Sequence, residues 1–371
     1  MSSAEEQSQR GLPTVLINIQ FLRFSAAMLV VFYHCSAHVR ATGVNQGLFF
    51  SICEAVGFAG VDIFFVISGF IMAYTSTDAT GIEPGLAFTK RRLARIYSGY
   101  WPFYILALAL FAWIGENHLA DAALFRSAIL WPSGRNLIQV SWTLIYELYF
   151  YLVFGLIIVF TGSKRKLLLQ LMLAAILVWS IYSHFIRHAF DQGQLEVLKL
   201  SEVYMLSPYM AEFLVGSLLA SWLTLKQKGR SWSWLLSGIV LFMAGGWLNN
   251  VLFDGQIEQG YYIFWRVMIF GTASILLLIG LVRLEFSGKT APVTFSLVAG
   301  GASYAIYLCH TLWLTFTQHL GFNRLLGDYS YSSWLVHLVF LGYAVLILFY
   351  SILHYRFLEQ PLHGLFKKWL N

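Results

Sequence analysis

VLINIQFLRFSAAMLVVFYHC, residues 15–35, decides the class of fold. It is an apolar run of the length a bilayer-crossing helix needs, roughly 20 residues. It is too long for a signal-peptide core and lacks a small-residue cleavage site, so it reads as an uncleaved first span. Outward from it the chain keeps this character. Its 371 residues are 58% hydrophobic and only 11% charged, against about 25% charged in soluble globular proteins. So little polar surface cannot solvate a water-facing globule of this size. Apolar stretches recur near 14–36, 56–76, 98–115, 141–161, 167–185, 208–225, 232–252, 261–282, 293–318 and 333–355. The expected fold is therefore all-α, a polytopic integral membrane helical bundle of about ten transmembrane helices. Gly300 and Gly301 interrupt the ninth stretch, and Leu119 to Trp131 suits a short interfacial helix. Residues 1–371 are expected to form one membrane-embedded domain, with 1–13 a cytoplasmic tail and 356–371 a cytoplasmic C-terminal segment.

Loop charges orient the bundle. With the N-terminus inside, sixteen lysines and arginines fall on the cytoplasmic side, Lys90, Arg91, Arg92, Arg95, Lys164, Arg165 and Lys166 among them. The opposite loops hold six: Arg40, Arg126, Arg135, Arg187, Lys199 and Arg324. That bias obeys the positive-inside rule and puts both termini in the cytoplasm. It also accounts for the net charge of +6, so no nucleic-acid partner is expected. Cys35, Cys53 and Cys309 have no metal-ligand spacing and are too few for a disulfide framework. Cys35 follows His34 directly, and helical neighbours point about 100° apart, so they make no nucleophile–base pair. The cysteines read as small apolar filler, and no metal is expected.

Two basic residues, Arg23 and Arg266, sit inside apolar spans. Charge at membrane depth is costly unless paired or wetted, which makes each a functional candidate; the alternative is an ion pair with Asp62, Glu147 or Glu212. Arg23 and His34 are eleven positions apart, hence on one helical face and roughly 16 Å apart along the axis. Ser68 and Gly69 lie among Phe64, Phe65 and Phe70, where small residues allow close approach of a helix or a ligand. Arg92 and Arg95 share a face and could fork onto a phosphorylated ligand; by charge alone, topology and lipid head groups are the readier explanation. Ser303 and His310 are seven apart on one face, with Tyr307 beside His310. Trp142, Tyr146 and Tyr149 form an aromatic stripe suited to packing, interfacial anchoring or sugar stacking.

Taken in order, these segments resemble the acyltransferase-3 family of membrane acyltransferases over nearly the whole chain. Arg23 and His34 match its first-helix signature, Phe64-Phe65-x-x-Ser68-Gly69-Phe70 its second, and Arg92-x-x-Arg95 its third. Ser141-Trp142-Thr143-Leu144-x-x-Glu147-x-x-Phe150-Tyr151 resembles its Ser-Trp-Ser-Leu segment, with Thr143 in place of the usual serine. Ser303-Tyr304-x-x-Tyr307-Leu308-x-His310 and Glu359-x-Pro361 resemble its late landmarks. Each motif alone is loose; six in order are specific. Length and the lack of an appended esterase-like domain are most similar to the exopolysaccharide acetyltransferases of that family.

The resemblance implies a bacterial inner-membrane O-acyltransferase. It would move an acetyl group from acetyl-CoA, or another acyl-CoA, to a hydroxyl of a surface or lipid-linked carbohydrate. Arg92, Arg95 and Ser68 would hold the donor. His34 would be the general base or, alternatively, carry an acyl-histidine. Arg23 would hold CoA or stabilise the oxyanion. Glu147 would orient a histidine or pair with an arginine. Trp142, Tyr307, His310 and Ser303 would face the acceptor. A transporter or flippase of a lipid-linked saccharide is the competing reading, and a non-catalytic membrane scaffold the third; acyl transfer by purified protein separates them. The partners implied are the lipid bilayer, acyl-CoA and a carbohydrate, with the oligomeric state left open.

Overall fold

A computed structural model describes residue 13 and residues 15–77, 79–115, 121–132, 136–188, 201–225, 230–322, 326 and 333–370. Arg10, Arg135, Lys199, Lys226, Lys228 and Arg324, counted in the charge bias, lie outside the described residues, as does nearly all of the 1–13 tail.

The described residues are helical, with no strand among them. Among the described residues nine helices are long and apolar enough to cross a membrane, ten if the bent pair Val293–Gly301 and Ser303–His319 counts as one span. Each corresponds to one apolar stretch of the sequence. Their outward faces are apolar, with Leu156, Val178, Val240, Leu346 and Phe349 all exposed, as lipid contact requires and water would penalise.

Three boundaries differ from the hydropathy pattern by more than two helical turns, the last span running on to Lys368 rather than ending near 355. The second span begins at Gly47, well before residue 56. The third is the single helix Ile82–Ile114, so Lys90 to Arg95 are helical. Hydropathy registers only the lipid-buried part of a helix, not an amphipathic extension that packs Phe88, Ala94 and Ile96 inward. The short helix expected within 119–131 is Asp121–Ala128. Tyr97, Tyr100, Trp101 and Tyr104 donate to the carbonyls of Ile129, Ser127, Ala128 and Leu124, pairing groups that a helix C-terminus leaves open.

Contacts group the chain into two compact units. The first comprises residues 1–23, 62–92 and 146–297. Here the helices Gly60–Thr75 and Tyr209–Leu225 meet backbone to backbone: a methyl on Gly69 would overlap the Phe213 carbonyl, and one on Gly216 the Val66 carbonyl. Ser217 donates to the Gly69 carbonyl at 3.0 Å. Gly69 therefore serves helix packing, as small residues do in membranes. Glu285 accepts the backbone N–H groups of Ile17 and Asn18 at 2.6 and 2.8 Å, capping the first helix with a carboxylate. Arg165 is buried and donates to the carbonyls of Ser76, Ala79 and Ile158, closing two helix ends.

Asp62 and Arg266 form a buried ion pair in this unit. Arg266 Nη2 lies 2.7 Å from Asp62 Oδ2, and its Nε also donates to that carboxylate. The Tyr209 ring lies 5.3 Å from the guanidinium carbon, and the carboxyl of Glu212 is buried beside them. The intramembrane Arg266 thus has a structural partner.

The second unit comprises residues 24–61, 93–145 and 298–371. The chain bends by 52° between Val293–Gly301 and Ser303–His319. Gly301 makes room beside the bend for the Tyr355 ring, which a Cβ there would meet at 2.7 Å. Ser303–His319 then packs against Ser333–His354 and the turn Gln139–Ser141. Cys35, Cys53 and Cys309 are buried free thiols.

Candidate active site

In the second unit the helix Ile17–Ala41 presents His34 to His310 of Ser303–His319. His34 Nδ1 lies 3.2 Å from His310 Nε2, with ring centroids 4.8 Å apart. His34 is half-buried and His310 fully buried. Both rings also turn Nδ1 onto a carbonyl one helical turn back: His34 to Val30 at 2.9 Å and His310 to Ile306 at 3.2 Å. The Tyr33 ring stands edge-on to His34.

Below His310, the Tyr307 hydroxyl donates to the Val140 carbonyl at 3.1 Å and accepts from Thr143 Oγ1 at 3.2 Å. Thr143 thus keeps a working hydroxyl where the family pattern has serine. Ser303 is fully buried, and its hydroxyl has no hydrogen-bond partner among the described residues. Trp142 is half-buried at the first position of Trp142–Ile157. Arg95 is half-buried and close enough to His363 to act on it electrostatically.

The first unit holds a separate polar ladder. Glu147 accepts hydrogen bonds from Ser68 Oγ at 3.0 Å and from the Tyr151 hydroxyl. The Arg92 guanidinium lies over the Tyr151 ring at 5.4 Å and the Phe88 ring at 5.2 Å, a cation–π arrangement. Arg92 Nη2 reaches Thr75 Oγ1 at 3.4 Å. Arg23 is half-buried and donates to Gln20 Oε1 at 3.3 Å.

The fold therefore joins Ser68, Glu147 and Arg92 into one set of contacts, and His34 with His310 into another. Arg23 and His34 share one helix, and Arg92 and Arg95 another. Within the aromatic stripe, Tyr146 is committed to packing. Tyr146 is buried, donates to the Val203 carbonyl at 2.8 Å and packs against Phe65, Tyr204 and Tyr209. Tyr151 and Thr75 escaped sequence reasoning as site residues. Tyr151 stands at i+4 from Glu147, a spacing that could have revealed it; Thr75 meets Arg92 only through the fold.

A family model described as an acyltransferase domain, acyltransferase-3, matches residues 16–356. The chain belongs to the acyltransferase-3 family. It is also 29% identical over 287 residues to the exopolysaccharide production protein ExoZ of Rhizobium meliloti strain 1021, covering 73% of this chain and 81% of that relative. No solved structure gives a significant match. Every site residue named above falls inside the acyltransferase-3 match. As an acyltransferase of the membrane, the chain needs an acyl donor, an acceptor and a group to move the acceptor's proton. Among the described residues no three His, Cys, Asp or Glu side chains are arranged to hold a metal ion.

Proposed function

We propose that the chain transfers an acetyl group from acetyl-CoA to a hydroxyl of a surface exopolysaccharide or its lipid-linked precursor. It would do so in a bacterial inner membrane, with both termini cytoplasmic. The observation that carries this reading is His34: a half-buried imidazole whose Nδ1 is engaged by Val30 and His310, leaving Nε2 for chemistry. The name of the ExoZ relative supports the acceptor class, and the loop charge bias supports the orientation.

In the reaction His34 Nε2 takes the proton of the acceptor hydroxyl as its oxygen attacks the thioester carbonyl carbon. The C–S bond then breaks, and the proton passes from His34 to the departing CoA sulfur. Arg23, eleven positions before His34 on the same helix, contributes positive charge for the donor. Arg92 and Arg95, one turn apart on theirs, suit the donor's phosphates. Glu147 holds the Ser68 hydroxyl and the Tyr151 ring that lies against Arg92. Trp142 offers an aromatic face to the sugar.

The test is acyl transfer by purified protein in liposomes, with labelled acetyl-CoA and extracted exopolysaccharide, paired with mass spectrometry of surface polysaccharide from cells with and without the protein. Label in the polysaccharide and a matching acetyl difference are expected. Unchanged acetylation, with saccharide movement across the bilayer instead, would overturn the reading.

A further inference from the structure

The contacts of the two histidines are best satisfied by one placement of their hydrogens. A carbonyl oxygen only accepts, so the Nδ1 facing Ile306 in His310, and the Nδ1 facing Val30 in His34, each carry a hydrogen. A neutral His310 then has its lone pair on Nε2. That atom lies 3.2 Å from His34 Nδ1, so it accepts the same hydrogen that His34 shares with Val30. One arrangement of protons satisfies all three contacts. It leaves His34 Nε2 unprotonated and directed away from both partners.

We propose that His310 is a positioning residue: it holds His34 in the Nδ1-protonated tautomer and receives the Nδ1 hydrogen bond as His34 becomes cationic during acyl transfer. The idea rests on His34 being the base. His310 has no exposed surface, so it acts through His34 rather than on substrate. With the hydrogen on Nε2 instead, His34 could not take a proton there, and holding the tautomer is what an orienting partner does for a catalytic histidine. The acceptor proton moves to His34 Nε2 and later to the CoA sulfur; none is passed to His310, which stays neutral. Charge developing on the His34 ring is met by two acceptors already in place, the Val30 carbonyl and His310 Nε2.

The experiment uses the full chain, labelled with ¹⁵N-histidine and reconstituted in liposomes. Solid-state ¹⁵N spectra read the tautomers, and the variants His34→Gln and His310→Gln assign the signals. Both rings are expected to be Nδ1-protonated. His310→Leu should lower kcat for acetyl transfer from acetyl-CoA to extracted exopolysaccharide about 10- to 100-fold, the worth of one hydrogen bond to a charged group. KM for acetyl-CoA should be unchanged, and the Nδ1-protonated share of His34, then held by the Val30 carbonyl alone, should fall. His310→Gln places an amide oxygen to accept from His34 and an amide N–H to donate to Ile306, so it should restore tautomer and rate. Wild-type His34 carrying its hydrogen on Nε2, or His310→Leu with wild-type kcat and tautomer, would overturn the proposal. Should His310→Leu fail to fold, His310→Ala, read for kcat and for the His34 tautomer in the same way, decides instead. A fully active His34→Gln protein would instead sink the base reading itself, which the tautomer spectra distinguish.

Discussion

Asp62 with Arg266 in one unit, and His34 with His310 in the other, are both polar pairs set among apolar helices, yet they are finished to different degrees. The ion pair is closed: the Arg266 and Asp62 side chains are 4% and 0% exposed, two guanidinium nitrogens face one carboxylate, and Tyr209 covers the cation. Such a pair holds a fold together because losing either partner strands a charge in low dielectric. The histidine pair keeps one ring half-buried with a nitrogen in reserve. What separates chemistry from architecture here is unspent bonding capacity with access, since polarity is common to both.

The largest expected effect breaks or sharpens this contrast directly. His34→Gln keeps hydrogen bonding but cannot take the proton, and should lower acetyl transfer about 10²- to 10⁴-fold. Its unfolding transition should match wild type, because a half-buried polar side chain is exchanged for one of similar size. A folded His34→Gln protein with near wild-type turnover would remove the base and erase the distinction.

Asp62→Ala should behave the opposite way. It leaves the Arg266 guanidinium with only the buried Glu212 carboxyl nearby, so unfolding in detergent should show a loss of up to about 3–5 kcal/mol. Joint replacement, Asp62→Leu with Arg266→Met, should recover most of that, with turnover per folded molecule preserved. A stable Asp62→Ala protein lacking transfer would move this pair to the catalytic side.

The smallest effect concerns the ladder of Ser68, Glu147, Tyr151 and Arg92. Arg92→Lys retains charge but loses the flat fork over Tyr151. KM for acetyl-CoA should rise about tenfold, the scale of one charge-assisted hydrogen bond, with kcat little changed. An unaltered KM would make Arg92 a topology signal only.

Much of this was legible in advance because membrane proteins write their architecture locally. Each span answers to its own run of apolar residues, and the Gly300–Gly301 interruption marked the bent pair Val293–Gly301 and Ser303–His319. The N-terminal extension of Ile82–Ile114 was not legible, because its charged and apolar residues cancel in any hydropathy window. Arg266 was read as functional or paired, and Asp62 supplied the partner. Arg165, counted among the topology charges, turned out to close helix ends.

The sequence by itself determined the membrane class, the number of spans, the family motifs and the helical face on which each candidate stands, since hydropathy and the 3.6-residue repeat depend on near neighbours alone. Which partner each candidate meets was decided only by the tertiary structure. Ser68 finds Glu147 across 79 positions, Asp62 finds Arg266 across 204, and His34 finds His310 across 276. A hydrogen bond forms within a few tenths of an ångström, and helical periodicity fixes a direction without choosing which helix will be standing there.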